Sequence, residues 1–242
     1  MQIKSSQILS YRLFLFLTVI CYTQVSAQDS PVENYFQQVG DYADIYNGRL
    51  ETAYNTLQYK DLPYYKSVDY TDATIIYKNT VYPGQKVRLD LYKEQLILLS
   101  PGKRYGIILN PQHVGKVYMY DKTFVWLVPP KESGLRDGYY IQLWEGKEIQ
   151  LFSKVDYSVQ EDKSSRRTYY YFEQKTRHYL SYNDRYYAVK NRASFTRIFK
   201  QHKKQINKYY RNSRLNFKQD GDKSLTSLAE YCEGLLSLQN TQ

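Results

Sequence analysis

Between Ala73 and Val189 the chain breaks into short apolar runs joined by very short polar connections, and this spacing decides most of what it can become. Val87-Arg88-Leu89-Asp90-Leu91-Tyr92 alternates apolar and polar residues, the period of a half-buried strand. Ile75-Ile76-Tyr77, Leu96-Ile97-Leu98-Leu99 and Ile107-Ile108-Leu109 are further strand candidates. So are Val117-Tyr118-Met119-Tyr120 and Phe124-Val125-Trp126-Leu127, with Asp121-Lys122 as the turn between them. Beyond a Pro129-Pro130 and Gly134 loop, Tyr139 to Trp144 and Ile149 to Phe152 flank Glu145-Gly146-Lys147, a hairpin loop. Val155 to Val159 continues the pattern, and Glu161 to Arg167 reads as a charged loop. Tyr169 to Phe172, Tyr179 to Tyr182 and Tyr186 to Val189 complete it, the last two joined at Asn183-Asp184. Roughly ten strands with such short connections must neighbour one another antiparallel, since a parallel crossover takes about a dozen residues. The expectation is a meander: a curled sheet, a barrel or two packed sheets.

The period changes at Asn191. Phe195, Ile198, Phe199, Ile206, Tyr209 and Tyr210 recur at helical spacing, with Asn191 or Ser194 as N-cap and a break near Gln201-His202. Leu225, Leu228, Ala229, Cys232, Leu235 and Leu236 form the apolar stripe of a last helix capped by Asp222 or Ser224, and that stripe is expected to dock on the sheet. The fold class is therefore mainly β with C-terminal helices. Residues 73–190 form the β domain and 191–242 a helical segment of the same domain. Residues 28–72 are an irregular stretch packing on the sheet, with a turn at Tyr46-Asn47-Gly48 whose Asn and Gly tolerate positive φ.

The first 27 residues read as an export leader. Lys4 and Arg12 are basic, no acidic residue precedes Asp29, Leu13 to Cys21 is apolar, and Val25-Ser26-Ala27 offers a cleavage site. The apolar run is less than half of the about 20 residues a membrane helix needs. Cleavage between Ala27 and Gln28 places the mature chain outside the cytoplasm and leaves Cys232 as its one thiol, so no internal disulfide supports the fold. Lipid attachment at Cys21 is the rival, disfavoured by Ile20 before it. No later segment reads as a membrane-spanning helix.

Charge is unevenly spread. Residues 28–162 carry 15 basic and 18 acidic side chains, whereas residues 163–214 carry 15 basic and only two acidic, Glu173 and Asp184. Such a field attracts polyanions or anionic head groups. The candidate binding patch is Arg166, Arg167, Arg177, Arg185, Arg197, Lys200, Lys203, Lys204, Lys208 and Arg211.

The order of these landmarks resembles a group of uncharacterised exported proteins of the Bacteroidetes. Tyr46-Asn47-Gly48 matches that group's turn, Leu62-Pro63-Tyr64-Tyr65 its proline-aromatic element, and Tyr77 and Tyr82 its tyrosine positions. Val87-x-Leu89-Asp90-Leu91-Tyr92 matches its aspartate strand, and Tyr186 to Lys190 through Leu215-Asn216-Phe217 its ending of a strand and basic helices. Ala73 stands where glycine is usual and Leu89 where tyrosine is, which puts the shape of the first hairpin in question. The resemblance implies periplasmic or outer-membrane residence and no activity, so no site residue is carried over.

Candidate chemistry is sparse. His113 in a loop, His178 in a hairpin and His202 between helical segments show no metal-ligand spacing, and Cys232 inside a leucine stripe reads as a buried, inert thiol. Asp90, flanked by apolar residues, faces solvent or caps a turn more naturally than it serves a glycosidase. The sequence has neither a glycine-rich phosphate loop nor a Gly-x-Ser-x-Gly elbow. The 29 tyrosines suit strands, or else a sugar- or lipid-binding face. Tyrosine interleaved with Lys and Arg also suits nucleic acid, but export argues for lipopolysaccharide, phospholipid head groups or an acidic protein instead. The expected function is a non-enzymatic periplasmic accessory subunit docking on an outer-membrane protein complex. The alternative is a binding module holding a lipid, glycan or anionic polymer in a tyrosine-lined concave sheet. No catalytic residue, cofactor or metal site is assigned.

Overall fold

Eleven strands hydrogen-bond into a single sheet, and every ladder in it is antiparallel. The computed structural model describes residues 43–164 and 167–239. The expected leader, the first part of the irregular stretch and Arg166 lie outside the described residues. The strands are β1 (Arg49–Leu50), β2 (Thr71–Tyr77), β3 (Thr80–Asp90), β4 (Gln95–Leu99), β5 (Gly106–Ile108), β6 (Val114–Met119), β7 (Lys122–Leu127), β8 (Gly138–Glu145), β9 (Ile149–Asp162), β10 (Tyr169–Tyr182) and β11 (Arg185–Val189). Three helices follow: α1 (Arg192–Ile198), α2 (Lys203–Asn212) and α3 (Gly221–Gln239). The fold class is thus as the sequence predicts, with the sheet curled but not closed.

The topology departs from a plain meander at one point. The order is β1-β5-β4-β3-β2-β6-β7-β8-β9-β10-β11, so β6 joins β2 rather than β5. Two observations account for this. The outer edge of β5 is already taken by β1, through Arg49↔Ile108 and Leu50↔Ile107. The β5–β6 connection is also no tight hairpin: Asn110 caps a 3-10 turn over Pro111–His113 and sends the chain back to β2. Gly48 serves the β1–β5 junction through closeness rather than positive φ, because a Cβ there would meet the Ile108 carbonyl oxygen at 2.5 Å.

Three hairpin turns take positive φ at both central residues, the first being Lys78 (49°) and Asn79 (63°) between β2 and β3. Asn183 (49°) and Asp184 (56°) turn β10 into β11. Tyr120 (51°) and Asp121 (58°) turn β6 into β7, one residue earlier than Asp121-Lys122. The largest correction concerns β10. Tyr169–Phe172 and Tyr179–Tyr182 are the two ends of one fourteen-residue strand, in register with β9 from Tyr169↔Asp162 to Tyr182↔Ile149. Residues 173–177 between them are all exposed and polar, so no apolar alternation marked them as strand. His178 therefore sits within a strand rather than a hairpin turn.

The curl follows from who touches whom. A strap over residues 54–65 hydrogen-bonds β3 at one end, where Tyr65 N–H donates to Leu89 O (2.8 Å) and Leu91 N–H to Pro63 O (3.0 Å). At its other end Tyr170 N–H donates to Gln58 O and Lys60 N–H to Tyr170 O, both at 2.8 Å. β2, β6, β7, β8 and β9 lie between those two anchors in the sheet, so the sheet must bend to bring them within reach. The rings of Tyr92 and Phe172 meet across the same gap at 5.2 Å.

The helices close the other end of the sheet. Ile149, Leu151, Leu180 and Val189 from β9–β11 pack with Phe195, Phe199, Ile206, Leu225, Leu228, Ala229, Cys232 and Leu236. Asn191 caps α1 by accepting from Ser194 N–H, a 3-10 turn over Lys200–His202 breaks α1 from α2, and α3 begins at Gly221, ahead of either expected cap. Glu233 of α3 accepts the successive N–H groups of Lys147, Glu148 and Ile149 at 2.8 to 3.2 Å, pinning the helix to the β8–β9 turn.

Candidate functional site

The basic residues predicted from sequence do not form one patch. Arg167 sits at the tip of the β9–β10 hairpin. At ~3.3 Å per residue that tip lies about 40 Å along the strand from Leu180, where the helices pack. Arg177, on the same ribbon, is committed to Asp156 at 2.9 Å, which also holds Arg136 at 2.8 Å. The remaining seven, Arg185, Arg197, Lys200, Lys203, Lys204, Lys208 and Arg211, belong to β11, α1, α2 and the turn between the helices. All seven are exposed. Among the described residues no carboxylate forms an ion pair with any of them.

Local sequence explains why these charges face outward. From Arg185 to Lys218 there are eleven basic residues and no acidic one. Within α2, Ile206 is buried in the core while Tyr209 stacks on Tyr231 of α3 with ring centroids 4.1 Å apart. Tyr210 stacks on Phe217 at 5.9 Å, and the Arg192 guanidinium lies 5.2 Å over the Tyr210 ring while donating to Asn207 at 2.7 Å. The aromatic side of the helix is thereby turned inward, leaving Lys203, Lys204, Lys208 and Arg211 on the outer side. Lys204–Lys208 and Lys208–Arg211 stand one helical turn apart, where like charges cost about 0.2–0.5 kcal/mol per pair. Arg214, exposed in the turn after α2, adds a further cation. The rings that would stack with unpaired bases are engaged inside the protein, which removes the aromatic half of a nucleic-acid surface.

Several tyrosines pack in the interior. Tyr77 and Tyr139 are fully buried, Tyr65 packs edge-on against Phe124 at 4.9 Å, and Tyr54 and Tyr59 of the strap cluster with Phe172 of β10. Three of the cavities that open on the surface are lined by described residues throughout. One of about 620 Å³ lies between the β6–β7 turn and the start of α3, near Lys122 and Asp222. Two of about 570 and 350 Å³ flank the β1–β5 junction. None of the three has a tyrosine in its lining or any of the seven exposed cations.

The buried polar groups are structural. Asp90, 1% exposed, accepts from Tyr54 Oη (2.7 Å), Tyr92 N–H (2.9 Å) and Lys93 N–H (2.8 Å), so it caps the β3–β4 turn and does not face solvent. Burial lifts its carboxyl above the usual range despite three donors. Arg88 pairs with both oxygens of Glu51 at 2.7 Å and is held between the rings of Tyr64 and Tyr70, 4.5 and 4.6 Å away. His178 Nε2 meets Asp222 Oδ1 at 2.7 Å, fixing the start of α3 to β10. Cys232 is buried, and burial pushes its thiol up to about 12, so it is protonated and unreactive at neutral pH. Among the described residues no group of three or more His, Cys, Asp or Glu side chains could hold a metal ion.

One cluster escaped the sequence altogether. The β8–β9 ladder stops at Ile141↔Ser153, and before that point Tyr139 has no strand partner on its β9 side. Glu94, from the turn after β3, accepts Tyr139 N–H at 2.7 Å, while Lys154 Nζ donates to Tyr139 O at 2.9 Å and ion-pairs with Glu94. Gly138 leaves room for both, since a Cβ there would lie 2.6 Å from Glu94 Oε2 and 2.7 Å from Lys154 Nζ. Burial pushes the Glu94 carboxyl up and the Lys154 ammonium down, the mutual attraction opposing both. Nothing in the order of residues places Glu94 beside Lys154, because sheet curl brings them together. Lys154 is only 3% exposed, so the pair repairs a split ladder and offers no surface to a ligand.

No protein-family model, curated protein or solved structure matches this chain. No helix among the described residues is long and apolar enough to cross a membrane, which leaves strand-built spans out of account.

Proposed function

We propose that this protein is a non-enzymatic accessory subunit of the bacterial envelope, held against an acidic surface by its C-terminal helices. The observation that carries the reading is the outer side of α1, α2 and the turn between them: Arg197, Lys200, Lys203, Lys204, Lys208 and Arg211, within a stretch of eleven cations that holds no acid, stand exposed on a packed helical end with no ion pair among the described residues. Clustered like charges lower the stability of the helix that bears them, and a compensating partner surface gives them a role. The export leader and the resemblance to exported Bacteroidetes proteins supply the compartment. The rival reading, a ligand held in a tyrosine-lined concave sheet, gains nothing from tyrosines that are packed in the core.

Recovery from native membranes tests the proposal. Tagged protein should bring down an outer-membrane partner in fixed ratio. A variant with Lys200, Lys203, Lys204, Lys208 and Arg211 changed to Glu should leave the membrane fraction while keeping its far-UV circular dichroism. Clean monomer carrying a bound lipid or glycan inside the sheet would replace this reading with the carrier one.

A further inference from the structure

We infer that the surface met by α1 and α2 is a layer of anionic lipid head groups, contacted without penetration. The inference rests on the docking reading above and names what lies opposite the cations. Three properties of the face select lipid. First, among the described residues no large apolar side chain is exposed between Tyr171 and Leu238, so the face lacks the aromatic and aliphatic anchors that form the centre of a stable protein interface. Protein interfaces are also poor in Lys, whereas four of the seven exposed cations here are Lys. Second, the three cavities described above contain none of these side chains. Third, lysine is a compact charge on a flexible stem, and phospholipids diffuse laterally. Head groups can therefore gather beneath scattered ammonium groups with no fixed geometric match.

The same properties set the depth of contact. An amphipathic helix that enters a bilayer turns Leu, Phe or Trp toward the acyl chains. In α2 Ile206 and Tyr209 already face the protein core and the half-buried Tyr210 ring is taken up by Phe217 and Arg192, while the exposed side chains Lys203, Lys204, Gln205, Lys208, Arg211 and Asn212 are all charged or amide. Attachment is then electrostatic, and it weakens as salt shortens the Debye length from about 10 Å at 0.1 M toward about 3 Å at 1 M.

The test uses protein purified from its native cells and co-sedimentation with vesicles of phosphatidylcholine, with or without phosphatidylglycerol. Binding should require phosphatidylglycerol and disappear in molar salt. Lys204→Gln with Lys208→Gln should weaken it roughly thirtyfold, as expected for two contacts to an anionic surface. Lys78→Gln with Lys86→Gln removes the same charge from side chains paired with Asp44 and Asp72, and should change little. Equal binding to neutral vesicles, or equal loss in both pairs of variants, would overturn the inference. So would binding to soluble inorganic polyphosphate with none to vesicles, which would make a polymer the occupant. If vesicles are ignored while a protein partner is still recovered from native membranes, the lipid assignment falls and the accessory reading stands.

Discussion

Lys154 is the residue on which the split between β8 and β9 depends. Its ammonium lies in a site that burial makes hostile to charge, and it persists there because Glu94 and the Tyr139 carbonyl surround it. Lys154→Met leaves the Glu94 carboxylate buried without its cation, and should lower stability by about 3–5 kcal/mol. Glu94→Gln combined with Lys154→Met should cost less than the single change, because no unpaired charge remains; urea unfolding at neutral pH reads both. Tyr139 gives the opposite result. Its hydroxyl is buried and has no hydrogen-bond partner among the described residues. Burial and the nearby Glu94 carboxylate also push its ionisation well above the ordinary tyrosine range. Tyr139→Phe removes an unsatisfied group whose burial costs about 1–3 kcal/mol, and should raise the urea midpoint. A lowered midpoint would mean that the hydroxyl has a partner after all. Neither residue stands out in the sequence, where Lys154 reads as one more polar position and Tyr139 as one more strand tyrosine.

At the scale of elements, most strands were legible because a half-buried ribbon must alternate and a two-residue turn needs residues such as Asn183 and Asp184. What stayed hidden depended on contacts distant in sequence. The middle of β10 has no apolar residue to betray it, and the pairing of β6 with β2 depends on β1 occupying the edge of β5. The candidate site was legible in part: the cations of α1 and α2 were named, but Arg177 was not readable as a partner of Asp156 two strands' worth of sequence away. The start of α3 carries a pH prediction. Asp222 is held below its ordinary 3.8 chiefly by the hydrogen bond from His178, with Lys122 adding attraction. A carboxyl depressed in the folded state contributes stability that is present above 3.8 and is lost as pH falls through the folded value. Asp222→Asn should therefore melt below the wild type near neutrality, and the gap should close in strong acid. Thermal melts followed by circular dichroism across pH check this; a gap that persists in acid would mean the contact acts through shape alone.

Taken whole, the molecule separates its polar work by region. The sheet buries many of its aromatics and pairs several of its charges, as with Arg88 and Glu51, Lys116 and Glu145, and Arg136 with Asp156. At the helical end the exposed cations of α1 and α2 form no ion pair among the described residues. Composition alone carries that asymmetry, since the net charge resides in residues 163–214. Composition does not carry the finer division, in which only the helical share of those charges stays unpaired and gathered, because separation along a strand is set by geometry rather than by order. Near Arg167 the hairpin tip is as basic as α2 in the sequence, yet lies far from it along β10.

The strap over residues 54–65 bears on how such a chain comes to be folded. Most neighbouring strands here can zip up locally, each hairpin needing only the turn beside it, while β1–β5 and β2–β6 pair over longer stretches of chain. The strap instead joins Gln58 and Lys60 to Tyr170, residues more than a hundred positions apart, and it can fasten only once both of its anchors exist. Fastening it costs more loop entropy than closing any one hairpin, and the bend of the sheet depends on that costlier contact.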